Sequence, residues 1–203
     1  MTLRKGSGQA LRQGSGRAPA VFLDRDGTLI QDIGYLRFTR EVAFYPWSID
    51  AVRALNQAGL PVVVTTNQSG VARGILTEPM IEGVQRHLSK LLDAGGAHID
   101  AYYYCPHHPE GSVEIYRTRC DCRKPGCGMI ERASADLGLD AARSFVVGDK
   151  WIDVGAGRAA GARAILVRTG YGATEETEPP ADLTADAVVD NLVEAVSWIL
   201  RQC

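Results

Sequence analysis

The feature that most constrains the fold of this chain is the alternation of short apolar runs with segments of helical periodicity. The apolar runs lie at residues 20–23, 61–65, 99–104, 145–147 and 164–167. Continuous apolar runs of this length are typical of strands buried on both faces, as in a parallel sheet covered by helices. The pattern predicts an α/β fold, with a Rossmann-like, doubly wound parallel sheet in a single domain over residues 19–203.

The segments between these runs carry apolar residues three or four positions apart. Such residues share one face of a helix, so each set predicts the buried face of a helix. The sets are Ile49, Val52 and Leu55; Ile81, Val84, Leu88 and Leu91; Ile130, Ala133 and Leu137; and Leu192, Ala195, Val196 and Ile199.

Polar residues follow several of the predicted strands at the point where each strand ends. In doubly wound sheets, ligands bind beyond the carboxyl ends of the strands, so we expect these side chains to converge. They are Asp24 and Asp26, Thr66 and Asn67, and Asp149 and Asp153.

Charge and hydropathy argue against nucleic-acid and membrane partners. The formal net charge is -2, whereas proteins that bind nucleic-acid backbones are usually basic. No apolar run approaches the length of a membrane span. Residues 1–18 are basic, rich in glycine and without the apolar stretch of a secretory signal, so we expect a flexible tail there. These features predict a monomer that has a small-molecule substrate and no nucleic-acid or membrane partner.

Asp24-Arg25-Asp26-Gly27-Thr28 follows the first apolar run directly. Two carboxylates so close together repel each other unless a cation lies between them. A hard divalent ion such as Mg²⁺ prefers oxygen ligands of this kind, and Gly27 allows the sharp turn that such a loop needs. A loop with a capping aspartate is the alternative interpretation.

With the residues that follow it, this motif resembles the haloacid dehalogenase (HAD) superfamily of phosphohydrolases. The superfamily pattern is DxDx[TV], a Ser or Thr after the second strand, a Lys, and then [GD]D followed by a further Asp. The matching residues, in chain order, are Asp24, Asp26, Thr28, Thr66, Lys124, Asp149 and Asp153. The resemblance implies a HAD fold and an aspartyl-phosphate mechanism.

The residue types suit that chemistry. Asp24 is the expected nucleophile, and Asp26 is the expected acid and base. Thr66 and Lys124 are expected to hold the phosphoryl oxygens. Asp24, the backbone carbonyl of Asp26 and Asp149 are the expected Mg²⁺ ligands. Asp153 is expected either to orient Lys124 or a metal-bound water, or to cap the helix that begins near residue 152.

A second cluster combines cysteine and histidine. Four of the five cysteines lie within residues 105–127, which favours a metal site in a reducing cytoplasm over a disulfide framework. Three thiolates and one imidazole suit a closed, structural Zn²⁺ site. The predicted ligands are Cys105, His107, Cys120 and Cys122, with His108 as the rival to His107 and Cys127 as a further candidate.

Longer stretches resemble one HAD family, the D-glycero-D-manno-heptose 1,7-bisphosphate phosphatases. The stretches are residues 24–28, 66–74, 105–111 and 120–125. That family depends on magnesium, contains zinc, lacks a large cap domain and removes the C7 phosphate of its substrate, leaving heptose 1-phosphate for surface-glycan precursors. The resemblance implies that substrate contacts Asp32, Ile33, Gly34, Tyr35, Thr66, Asn67, Gln68, Ser69, Arg123, Lys124 and Lys150.

Other functions remain open at this point. Histidinol-phosphate phosphatases share the fold, the aspartates and the zinc loop. A zinc-based nucleic-acid module would use the Cys/His cluster and the basic tail, but it lacks a base-reading helix. A dinucleotide-binding oxidoreductase would use the glycines of residues 155–161, but these lie inside a helix pattern and not at a strand-to-helix turn.

Overall fold

The computed structural model describes residues 17–203 and the backbone of Thr2–Arg4. Most of the predicted N-terminal tail therefore lies outside the described residues and stays a prediction. Within it, Thr2–Arg4 forms a short strand, β1, that pairs antiparallel with a later strand, β4 (Ala101–Cys105).

The rest of the sheet is parallel, as the apolar runs predict. Its strand order is β1-β4-β3-β2-β5-β6-β7. The remaining strands are β2 (Val21–Leu23), β3 (Val62–Asn67), β5 (Phe145–Gly148), β6 (Arg163–Val167) and β7 (Ala187–Val189). Strands β3 and β4 follow one another on one side of β2. The chain then crosses back over the sheet, and β5, β6 and β7 follow on the other side of β2. The switch point of the topology therefore lies between β2 and β5, where a ligand is expected.

Helices cover both faces of the sheet. They are α1 (Ser48–Gln57), α2 (Glu78–Ala94), α3 (Gly128–Leu137), α4 (Trp151–Ala159), α5 (Gly172–Glu175) and α6 (Leu192–Leu200). Alternate residues of β2 pack on opposite faces of the sheet. Val21 and Leu23 belong to the apolar cluster on one face, and Phe22 belongs to the cluster on the other. Burial on both faces explains why β2 is apolar at every position.

The predicted helix faces are confirmed with one exception. Leu88 is buried in α2, whereas Leu91 is partly exposed and Leu92 takes the buried position. The glycines near residue 157 lie inside α4, as expected. A Cβ atom on Gly157 would lie 3.0 Å from the Cβ of Val146, so the small residue lets α4 pack closely on β5.

One long segment borders the site. Residues 24–47 join β2 to α1 and contain one 3₁₀ turn, Thr39–Glu41. No helix among the described residues is both long and apolar enough to span a bilayer.

Candidate active site

A polar pocket of about 180 Å³ opens at the carboxyl ends of β2, β3 and β5, at the switch point of the sheet. Asp24 follows β2, and Asp149 follows the neighbouring strand β5. The pocket is lined by Asp24, Asp26, Asp32, Gly34, Tyr35, Thr66, Asn67, Gln68, Ser69, Gly70, Lys124, Lys150, Ile152, Asp153 and Tyr171. The polar residues at the strand ends thus converge as predicted.

Lys124 is the buried cation of this pocket. Its Nζ lies 2.6 Å from Asp24 Oδ1 and 2.5 Å from Asp153 Oδ1, and it donates to the carbonyl of Thr65 at 2.9 Å. The side chain of Asn67 fixes the position of Lys124, because it donates to the carbonyl of Lys124 and accepts from its backbone N–H, each at 3.1 Å. Burial alone would lower the pKa of Lys124, but the carboxylates of Asp153 and Asp24 raise it, so the side chain stays charged.

Asp153 performs both of the roles that were considered as alternatives. One oxygen contacts Lys124, and the other accepts the backbone N–H of Lys150 at 3.1 Å, at the first turn of α4. The helix cap and the orientation of the lysine therefore depend on the same carboxylate.

Asp149 is buried, and its Oδ1 has no hydrogen-bond partner among the described residues. Its Oδ2 accepts the backbone N–H of Tyr171 at 2.8 Å. Gly27, at φ +85°, passes so close that a Cβ atom there would lie 2.1 Å from Asp149 Oδ2. A buried oxygen without a partner is costly, and a cation would satisfy it.

Burial raises the pKa of Asp24 to about 8 and that of Asp149 to about 7. Carboxylate oxygens of Asp24, Asp149 and Asp153 lie within 4.8 Å of one another, close enough to share a metal ion. The unpartnered oxygen, the raised pKa values and the all-oxygen donor set fit a hard divalent cation. The carboxylate of Asp26 does not belong to this group.

The carboxylate of Asp26 is held by two side chains. Arg25 donates to both of its oxygens, at 3.1 and 2.9 Å. Gln68 Nε2 donates to Asp26 Oδ2 and to Thr66 Oγ1, both at 2.9 Å. Because Thr66 Oγ1 accepts this bond, its own proton remains available for an oxygen in the pocket.

The residues predicted to contact substrate fall into two groups. Most line the pocket, and the ammonium of Lys150 bridges to Asp32 Oδ2 at 3.2 Å, which ties the 24–47 segment to the loop after β5. Ile33 and Arg123 are not part of the pocket wall, and Ile33 is 50% exposed. A side chain that points outward beside Gly34 cannot be recognised from the sequence.

Sequence reasoning missed the loop after β6. Thr169 Oγ1 donates to the carbonyl of Gly27 at 2.7 Å, and Tyr171 both lines the pocket and holds Asp149. This loop has no acidic motif. The signal that identifies it is its position directly after β6, because polar residues that follow parallel strands converge.

The Cys/His cluster lies beside the pocket. Its sulfur atoms are 3.2 to 3.5 Å apart, and His107 Nδ1 lies 3.4 Å from Cys122 Sγ. Zn–S bonds of about 2.3 Å place tetrahedral sulfur ligands about 3.8 Å apart, slightly wider than these distances. The hydrogen bond with Cys105 lowers the pKa of Cys122, which favours the thiolate form that a metal ion binds.

The structure distinguishes between the rival ligands of this cluster. Cys105, His107, Cys120 and Cys122 form a group that could hold a metal ion, and it includes neither His108 nor Cys127. The ring of His108 faces Arg73 instead, at 3.3 Å. Burial, Arg123 and Arg73 lower the pKa of His108, in that order. All five cysteines, each in the described part of the chain, are free of disulfides.

These features define the class of the protein: a hydrolase with the Rossmann-like fold of the HAD superfamily and a second, sulfur-rich cluster next to its pocket. A HAD-hydrolase-like family model matches residues 121–195. The D-glycero-β-D-manno-heptose-1,7-bisphosphate 7-phosphatase of Salmonella typhi is 44% identical over 173 residues, which cover 85% of this chain and 92% of that protein. The enzyme of the same name from Escherichia coli K12 is 45% identical, over 85% of this chain and 91% of its own.

Two solved structures that resemble this chain are also named as heptose bisphosphate phosphatases. The D,D-heptose 1,7-bisphosphate phosphatase of B. bronchiseptica, crystallised with magnesium and phosphate, has a TM-score of 0.80 and 30% identity over 91% of this chain and 99% of its own. The corresponding protein of Burkholderia thailandensis has a TM-score of 0.66 and 28% identity, over 90% of this chain and 98% of its own. The chain belongs to the D-glycero-D-manno-heptose 1,7-bisphosphate 7-phosphatase family of HAD phosphatases.

Proposed function

We propose that this chain hydrolyses the C7 phosphate of D-glycero-D-manno-heptose 1,7-bisphosphate through an aspartyl-phosphate, giving heptose 1-phosphate for surface-glycan precursors. The observation that carries the chemistry is the buried contact of Lys124 with Asp24 on the wall of a polar pocket. The choice of substrate rests on relatives that carry this name at 44% identity over 85% of the chain.

Asp24 and Asp26 carry out the two halves of the reaction. A carboxylate oxygen of Asp24 attacks phosphorus, and the bond from phosphorus to the C7 oxygen of the sugar breaks. Asp26 protonates that oxygen as it leaves. Asp26 then takes a proton from the water that attacks the aspartyl-phosphate, which releases inorganic phosphate and restores Asp24.

Thr66 and Lys124 stabilise the phosphoryl group during transfer. The hydroxyl of Thr66 has a proton to donate, because its oxygen already accepts from Gln68. Lys124 brings a buried positive charge next to the nucleophile, where low dielectric strengthens its attraction to the equatorial oxygens. The other residues of the pocket wall, including Asp32, Gly34, Tyr35, Asn67, Ser69 and Lys150, contact the sugar and its phosphate.

Asp24, Asp149 and the backbone carbonyl of Asp26 would hold the Mg²⁺. The partnerless oxygen of Asp149 and the raised pKa values of Asp24 and Asp149 support this assignment. A bound Mg²⁺ would keep both carboxylates ionised and shield the nucleophile from the charge of the incoming phosphate.

Cys105, His107, Cys120 and Cys122 would hold a structural Zn²⁺ with no open coordination position. The cluster ends immediately before Arg123 and Lys124. A metal fixed there would stiffen the loop that places Lys124 in the pocket, in a region with few apolar side chains.

We expect a capless enzyme, because the described loops bordering the pocket contain no additional domain. We expect a monomer in the cytoplasm, where thiols stay reduced and can bind zinc.

The test is a phosphate-release screen with Mg²⁺ across heptose 1,7-bisphosphate, other sugar bisphosphates, histidinol phosphate and nucleotides. The heptose bisphosphate should have the highest kcat/KM. Faster turnover of histidinol phosphate would overturn the substrate assignment and leave the phosphatase mechanism intact. Metal analysis should find about one zinc per chain if the four-ligand site is closed.

A further inference from the structure

Positive charge is scarce on the wall of the pocket. Among the described residues that line it, there are four aspartates and two lysines, Lys124 and Lys150. Lys124 contacts two carboxylates, those of Asp24 and Asp153. Within the described part of the chain, the ammonium of Lys150 contacts one carboxylate, that of Asp32 at 3.2 Å. Lys150 therefore offers the less neutralised positive charge to an anionic substrate.

The aromatic ring of Tyr171 is the second group that holds Lys150. The ammonium nitrogen of Lys150 lies 4.2 Å from the centre of this ring, within the range of a cation–π contact. The ring attracts the cation through its quadrupole and carries no net charge. A second carboxylate at this position would bind the ammonium more strongly, but it would also neutralise it. The aromatic ring restrains the ammonium and leaves its charge available to a substrate.

The backbone of Tyr171 is fixed independently of its ring. Strand β6 is the parallel neighbour of β5, so the loops that follow these two strands lie side by side. The backbone N–H of Tyr171 donates to Asp149 Oδ2 at 2.8 Å, and its carbonyl accepts from Thr174 and Glu175 at 2.9 Å. These backbone contacts do not depend on the identity of the side chain.

The ring of Tyr171 has no structural partner in the core. It is 52% exposed and lines the pocket, and among the described residues its hydroxyl forms no hydrogen bond. Neither burial nor a hydrogen bond of the hydroxyl therefore explains an aromatic residue at this position. The contact with the ammonium of Lys150 does explain it.

We propose that Tyr171 is a positioning residue for substrate binding, whose ring holds the ammonium of Lys150 in place on the pocket wall opposite its contact with Asp32. The inference rests on the proposed function, in which Lys150 contacts the substrate. A lysine side chain is a flexible four-carbon stem, and restraining it before the substrate arrives lowers the entropy cost of binding. Removing the ring should therefore weaken substrate binding and leave the chemical step unchanged.

The first measurement is the steady-state kinetics of Y171L and Y171F with heptose 1,7-bisphosphate. In Y171L we expect KM to rise about fivefold, the loss of one partly exposed cation–π contact, while kcat changes by less than about twofold. Y171F keeps the ring and should keep the wild-type constants. F38L is the matched control, because Arg40 lies 4.2 Å from the centre of the Phe38 ring, which is 47% exposed and does not line the pocket. It should leave both constants unchanged.

A double-mutant cycle tests whether the ring acts through Lys150. K150M should raise KM by more than Y171L does, and Y171L should add no further increase in the K150M background. A further increase of the same size in that background would show that the ring contacts the substrate by itself, and it would overturn the positioning role.

The requirement for magnesium separates positioning from damage to the loop. Because the backbone of Tyr171 holds Asp149, a distorted loop would weaken Mg²⁺ binding. In Y171L the Mg²⁺ concentration for half-maximal activity and the melting temperature should both match the wild type. A higher Mg²⁺ requirement, an unchanged KM, or an equal loss in Y171F would each overturn the inference.

Failure of the proposed function has a different signature. If the wild type does not hydrolyse the heptose bisphosphate, the proposed function fails. The same variants are then compared on the phosphomonoester that the wild type hydrolyses fastest in the screen. A rise in KM that depends on Lys150 supports the positioning role with that substrate, and its absence overturns the role.

Discussion

The carboxylate site and the Cys/His cluster are built in opposite ways. Asp24, Lys124, Asp149 and Asp153 are spread over residues 24–153 and are all buried. They come from the loops after β2, β4 and β5 and from the first turn of α4. The Cys/His ligands lie within residues 105–122, and only Cys105 among them is buried. The first site exists because the sheet brings distant residues together, whereas the second depends on one strand end and one loop.

This difference indicates that the carboxylate site is suited to catalysis and the Cys/His cluster to a structural role. The carboxylate site keeps a partnerless oxygen and raised pKa values, which are costs that a reactive site can tolerate and a structural one has no need for. The Cys/His cluster supplies four mutually close candidate ligands. Four ligands would fill a tetrahedral metal ion and leave no coordination position for a substrate. Changes to the first should therefore remove activity without unfolding the loop, and changes to the second should loosen the loop first.

The largest expected effect is that of Asp24→Asn. Without its nucleophile the enzyme should lose at least about 10⁴-fold in kcat, because the aspartyl-phosphate cannot form. Zinc content and substrate binding should remain, as measured by metal analysis and calorimetry. Asp182→Asn, at an exposed aspartate away from the pocket, is the control and should keep full activity. Appreciable turnover by the Asp24 variant would remove that residue from its role.

Gly27→Ala should damage the carboxylate site alone. The added Cβ would meet Asp149 Oδ2 at 2.1 Å and displace it, and misplacement on this scale costs about 100-fold in rate. Gly161→Ala carries the same kind of backbone strain at φ +76°, but nothing lies within 4 Å of its new Cβ. Comparing kcat and melting temperature of the two variants separates the clash from the strain. Equal kcat values would contradict the predicted role of Asp149.

Cys122→Ser should damage the other site first. Loss of a ligand should release the metal, lower the melting temperature and reduce kcat by about tenfold, since the loop no longer fixes Lys124. Cys127→Ser is the matched control, because that thiol lies next to the loop but outside the ligand group. It should keep both metal and activity. A Cys122 variant with full zinc content would refute the assigned ligand set.

The smallest expected effect is a pH-dependent response to magnesium. Burial raises the pKa of Asp24 from 3.8 to about 8, and that of Asp149 from 3.8 to about 7. The metal-free folded protein then binds more protons than the unfolded chain between these pKa values, so its stability falls as pH rises from about 4 to about 8.

Mg²⁺ competes with those protons. The rise in melting temperature caused by Mg²⁺ should therefore be small at a pH of about 6 and several degrees at a pH of about 9. Thermal melts with and without Mg²⁺ at both pH values measure this difference. Asp149→Asn should abolish most of it, and a response that is independent of pH would argue against the two carboxylates as ligands.

Much of the molecule could be predicted from local patterns. The apolar runs indicated the parallel strands, because a strand buried on both faces is apolar at most of its positions. Spacing within residues 105–122 indicated the Cys/His cluster, since its ligands are near one another in the chain. The assignment of Leu91 to the buried face of α2 was wrong, because neighbouring leucines compete for one face and only packing decides between them.

By itself, the sequence determined the alternation of the five central strands with the helices, the residues of the two candidate metal clusters, and the family of the protein. These depend on residue type and on spacing along the chain. Only the tertiary structure decided that Asp153 both caps α4 and holds Lys124, that Tyr171 supports Asp149, and that His108 faces Arg73. Such contacts join loops distant in sequence, and their geometry is set by how the strands stack side by side in the sheet.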